Sequence, residues 1–195
     1  MFLTFLLPGE GGRVTGWSFR NDLIDPQLNH SQALAMNKAF SYPTKVYGWK
    51  IRVKNSRSKG GWMLLQVWRP KLGGFNLIAS TNFSYGPSRG SGYTDTELPL
   101  TKGEWIPVDQ GDVIGLFLLN GIKKSVAPFA FGLLNSSVIA SGDVTDSSDM
   151  LFFATPANRD PPMELRTVDY DEHMAQFVIN IQAMIGQKKH KGLMS

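Results

Sequence analysis

Three aspartates recur at intervals of three in Gly142-Asp-Val-Thr-Asp-Ser-Ser-Asp149: Asp143, Asp146 and Asp149, with the hydroxyls of Thr145, Ser147 and Ser148 between them. Calcium takes about six to eight oxygen ligands at about 2.3–2.6 Å, and such a loop supplies several. The helix–loop–helix calcium signature is missing, so an ordinary polar loop is the competing reading. The histidines are His30, His173 and His190, and no two are spaced as metal ligands. His173 follows Asp169, Asp171 and Glu172, a grouping that reads first as a solvated acidic turn and second as a metal site.

Other reactive patterns are weaker still. No Gly-x-Ser-x-Gly nucleophile elbow occurs. Asp95, Glu97, Glu104, Asp109 and Asp112 cluster along the chain, yet no pattern turns two of them toward one cleft, as glycoside hydrolysis requires. Gly90-Ser-Gly92 leads into neither a helix nor a Lys-Ser pair, so it makes no phosphate cradle. No residue is assigned as catalytic, and no cofactor other than calcium is expected. Asn29-His-Ser31, Asn82-Phe-Ser84 and Asn135-Ser-Ser137 have the form of N-glycosylation acceptors, which take sugar only in a secreted chain.

Bulk composition narrows the scaffold. The 195 residues suit one domain. Hydrophobic residues make up 42% and charged residues only 18%, below the roughly 25% of ordinary soluble domains. Gly (20) and Pro (11) are abundant, which suits many turns and opposes a helical bundle. The net charge of +4 falls to +1 without Lys188, Lys189 and Lys191, so residues 187–195 read as a basic disordered tail. A nucleic-acid binder carries its cations on a folded surface, and none is expected here. The chain has no cysteine, which excludes disulfides, thiolate zinc sites and thiol nucleophiles. No apolar run approaches the roughly 18 residues of a membrane span. Met1 to Leu7 is apolar but lacks a basic leading region and a cleavage site, so either the protein is not exported or its start lies upstream of this chain, and the reading favours the second.

Period-two alternation dominates the rest. Tyr47, Trp49, Ile51 and Val53 alternate with Lys50, Arg52 and Lys54, which predicts a strand with one wet face. Phe177, Ile179, Ile181, Ala183 and Ile185 repeat the pattern, as do Phe75, Leu77, Ala79, Thr81 and Phe83. Trp62–Trp68 and Val113–Leu119 are apolar at nearly every position, which predicts strands covered on both faces. Shorter candidate strands are Val14–Arg20, Gly92–Leu98, Trp105–Val108, Phe129–Leu134, Val138–Ala140 and Met150–Ala154. Turn chemistry separates them at Ser58–Gly61, Leu72–Gly74, Gly86–Gly92, Asn120-Gly121 and Ser141–Asp143. Asp25-Pro26 followed by an Ala/Leu/Met-rich run predicts one short surface helix over about 26–40. Arg13–Arg20 also echoes Lys45–Arg52: basic, Val, any, Gly, Trp, polar, apolar, Arg.

From Lys45 to Leu119 the order of motifs is distinctive. A Val-x-Gly-Trp-x-Ile strand precedes Leu65-Gln-Val-Trp-Arg-Pro70, then a Phe-x-Leu-Ile strand, then Ile106-Pro-Val-Asp-Gln-Gly-Asp-Val-Ile-Gly115. This resembles secreted and cell-surface β-sandwich modules of invertebrate animals, and the jelly-roll heads of C1q and tumour necrosis factor. The resemblance covers about 75 residues and brings no catalytic residues with it. Residues alone assign Gly111-Asp112 to a tight turn, with Asp112 bonding nearby amides, and make Trp68 a core anchor with Arg69 at its edge.

The expectation is therefore an all-β fold over residues 1–186: an antiparallel β-sandwich or jelly roll with one short surface helix. Its expected role is an extracellular or cell-surface binding, adhesion or structural module with a protein or carbohydrate ligand, and homo-oligomers are among the expected states. The alternatives are a self-assembling capsid- or matrix-like subunit and, behind it, a carbohydrate-active enzyme.

Overall fold

The computed structural model describes residues 13–16, 31–35, 39–54, 61–85, 92–118, 131–133, 150–154, 163–166, 177–179 and 181–186. The strands among them are β1 (Arg13–Gly16), β2 (Ser31–Ala35), β3 (Thr44–Lys54), β4 (Gly61–Lys71), β5 (Gly74–Tyr85), β6 (Tyr93–Pro99), β7 (Ile106–Val108), β8 (Val113–Leu118), β9 (Phe131–Leu133), β10 (Met150–Ala154), β11 (Glu164–Arg166), β12 (Phe177–Ile179) and β13 (Ile181–Ile185). A five-stranded sheet runs β1-β13-β3-β6, with β7 also on β3. A six-stranded sheet runs β10-β2-β8-β4-β5-β11, and β12 pairs with β9 separately.

Every pairing is antiparallel, and four of them nest. β4 pairs with β5, β3 with β6, β2 with β8 and β1 with β13. Successive pairs alternate between the six-stranded and the five-stranded sheet. The described strands thus nest as an antiparallel ribbon wound on itself, as in a jelly roll. The expected all-β sandwich is the observed architecture.

Strand alternation builds the space between the sheets. The five-stranded sheet contributes Val46, Trp49, Ile51, Val53, Ile106, Val108, Ile181, Ala183 and Ile185. Facing them are Ala35, Met63, Leu65, Val67, Phe83, Ile114 and Leu116 of the six-stranded sheet. Trp49 donates its Nε1–H to Thr81 Oγ1 across the gap at 3.3 Å, so the largest core side chain leaves no orphan donor.

β4 and β8 have a second buried face, as their unbroken apolar runs predicted. Leu34, Trp68, Phe75, Val113 and Leu165 form a separate cluster there. Trp68 is fully buried and hydrogen-bonds Gln66 Oε1 at 3.1 Å. Gln66, buried as well, reaches Ser80 Oγ at 3.4 Å. Gly115 pairs with Gln66 in register. A Cβ on it would lie 2.4 Å from Trp68 Cδ1 and 2.9 Å from Leu34 Cδ2, so the indole occupies the space a side chain would take.

Two bulges reassign the alternating residues. On β5 the register skips Ile78, between Leu77 opposite Trp68 and Ala79 opposite Val67. Phe75 and Leu77 therefore serve the outer cluster, while Ala79 and Phe83 serve the inter-sheet core. On β3 the register skips Tyr47, so Val46 rather than Tyr47 points inward. The opposing strand breaks at the same level. β6 ends at Pro99, β7 starts at Ile106, and a 3-10 turn at Lys102–Glu104 spans the gap.

The expected helix over about 26–40 is corrected where the structure describes it. Ser31–Ala35 is strand β2, held between β10 and β8. Helix preference for Ala and Leu amounts to a few tenths of a kcal/mol per residue. Placing Leu34 and Ala35 in two different clusters, at about 25 cal/mol per Å² of apolar surface, outweighs it. Residues 26–30 and 36–38, the Val138–Ala140 candidate and the basic tail lie outside the described residues. The echoing segments meet the same neighbour. β1 and β3 flank β13, with Gly16 opposite Gln182 and Gly48 opposite Met184.

Gly115→Ala should lower stability by about 1–3 kcal/mol through overpacking against Trp68. Gly103→Ala, where a Cβ meets nothing within 4 Å, should change it by less than about 0.5 kcal/mol. Urea midpoints of the two variants check the contrast.

Candidate functional site

Among the described residues, the most connected polar constellation lies where β4 ends beside the β7–β8 turn. The turn Asp109-Gln-Gly-Asp112 needs a left-handed residue, and Gly111 supplies it at φ +93°. Asp112 Oδ2 accepts from the Asp109 backbone N–H at 2.8 Å, closing the turn as the sequence led one to expect. Arg69, projecting from β4, donates Nε–H and Nη2–H to the two Asp112 oxygens, both at 2.9 Å. Its Nη2 also lies 2.7 Å from Asp109 Oδ2. The carboxylate of Asp112 is 1% exposed, whereas the Arg69 side chain is 42% exposed. A buried carboxylate thus sits under a planar guanidinium that closes it from the solvent side. These bonds, the bidentate pair with Asp112 foremost, raise the Arg69 pKa above its ordinary value. The backbone of the same turn holds Phe40: its N–H donates to Asp112 O, and Gly111 N–H donates to Phe40 O, both at 2.8 Å.

Arg69 therefore binds the turn. The other acids of the sequence cluster are dispersed. Asp95 and Glu97 stand on β6 directly opposite Arg52 and Lys50 of β3. Arg52 meets Asp95 with two bonds of 2.6 and 2.7 Å, and Lys50 meets Glu97 at 2.6 Å. The cations of the alternating strand were legible in sequence, and the partners of Lys50 and Arg52 emerge only from strand register. Hydrogen bonding from Arg52 lowers the Asp95 pKa. Glu104 forms a capping box with Thr101, accepting from its hydroxyl and its N–H, and its pKa is lowered by those bonds. Glu164 of β11 pairs with Lys71 of β4, which lowers its pKa too. Each of these acids thus has a partner, with Asp109 and Asp112 sharing Arg69.

Asp143, Asp146 and Asp149, the three histidines, Asn29 and Asn135 lie outside the described residues. Among the described residues no group of three His, Cys, Asp or Glu is placed to hold a metal ion, and no helix is long and apolar enough to cross a membrane. Asn82 is exposed on β5. Exposed apolar side chains are scattered at Val14, Leu72, Tyr93, Trp105 and Met163, with Leu72 at the tip of the β4–β5 hairpin.

Comparison with protein-family models, curated proteins and solved structures finds no match. The site is therefore read from its geometry alone. Its arrangement anchors: it ties the end of a central strand to the turn that launches another.

Arg69→Ala should cost about 3–5 kcal/mol, because it strands the Asp112 charge in the interior. Asp109→Ala, which removes an exposed partner, should cost less than about 1 kcal/mol. Chemical denaturation of both variants tests the order. The Arg52–Asp95 pair gives a pH dependence. Asp95 has a depressed pKa when folded, so its contribution is complete above the unfolded carboxyl pKa of about 3.9 and is lost as pH falls through the lower folded value. The carboxylate is half exposed, so the effect should stay under about 1 kcal/mol. Asp95→Asn should flatten the stability curve below about pH 4 and leave its shape near neutrality unchanged.

Proposed function

We propose that this chain is a non-catalytic extracellular β-sandwich module that binds or holds a partner at a surface. The observation that carries this reading is where its ionic side chains go. Arg52–Asp95, Lys50–Glu97, Arg69–Asp112 and Lys71–Glu164 each join two strands of the frame, or a strand to a turn. Charges engaged in this way stiffen a scaffold. A rigid sandwich presenting connecting loops is a common basis for recognition. The partial likeness to C1q and tumour-necrosis-factor heads agrees with a surface-binding role, and the nested winding of the ribbon is compatible with it. A protein or a carbohydrate is the expected ligand class, and calcium at Asp143, Asp146 and Asp149 remains part of the proposal.

A self-assembling structural subunit is the second reading. It is favoured by one feature, the outer edge of β5, where β11 pairs only with residues 74–76 and no other described strand continues the sheet.

The two readings separate on the purified full chain. A binding module should sediment as one small species across a hundredfold range of concentration and bind intact animal cells saturably. Large assemblies that grow with concentration favour the structural subunit, and absence of saturable cell binding overturns the first reading.

A further inference from the structure

We draw no further inference here: the strongest candidate, the uncharged row of Val14, Met184, Gly48 and Pro99 across the outer face of the five-stranded sheet, carries nothing because no described element shows what covers it.

Discussion

Burying the central strands of the six-stranded sheet on both faces is the requirement around which this structure is organised. β4 and β8 sit at its centre, and from Met63 to Trp68 and from Val113 to Phe117 every position is buried. A strand with no wet face cannot rely on inside–outside alternation to fix its register. Here the register is fixed by shape and by hydrogen bonds. The Trp68 indole lies in the space that Gly115 leaves empty, and the Gln66 amide links the indole N–H to Ser80. Slipping β8 by one residue would put Ile114 or Leu116 where only a glycine fits. Burying Trp68 gains on the order of 4–6 kcal/mol from apolar area, and the bond to Gln66 keeps that gain from being lost to an unpaired donor.

The β5 bulge follows from the same requirement. Its strand must supply Phe75 and Leu77 to the outer cluster at one end, and Ala79 and Phe83 to the inter-sheet core at the other. An unbroken strand places odd-numbered residues on a single face. One unpaired residue, Ile78, exchanges the faces midway. The Tyr47 bulge does comparable work on β3. It brings Val46 inward and coincides with the excursion of the opposing strand between Pro99 and Ile106, where Leu100 N–H bonds Tyr47 O at 2.8 Å.

Much of this frame was readable from residue order. Trp49, Ile51 and Val53 against Lys50 and Arg52, and Ile181, Ala183 and Ile185 against Gln182, lie on the faces their alternation assigns. The doubly apolar runs became the central strands. What stayed hidden was not local. Phe75 to Phe83 alternates except at Ile78, the residue that is bulged, and one apolar side chain out of turn does not specify a bulge, which exists because Trp68 and Val67 lie on opposite faces of the next strand. Ser31–Ala35 has helix-forming residues, and only the slot between β8 and β10 makes it a strand. Short β11 carried no periodic signal at all. The same limit governed the polar site. Asp112 was assigned to its turn from the Gly-Asp pair, but Arg69 is distant in sequence, and which of five clustered acids it would hold depends on where β4 ends in space.

The two sheets differ in how they could meet a partner. The outer face of the five-stranded sheet carries Lys50–Glu97 and Arg52–Asp95, all four charges neutralised by a neighbour one strand away. A partner pressed flat on that face would strip water from both pairs, and the Coulomb energy regained in a drier setting seldom covers that loss unless new charges match the old. The outer face of the six-stranded sheet is already closed over Trp68, Phe117 and Leu34. Contact is therefore least costly at the strand edges and at the turns, such as the Leu72 tip held beside the Lys71–Glu164 pair. On the proposed reading, contact at edges and turns leaves the Lys50–Glu97 and Arg52–Asp95 pairs hydrated and in place between β3 and β6.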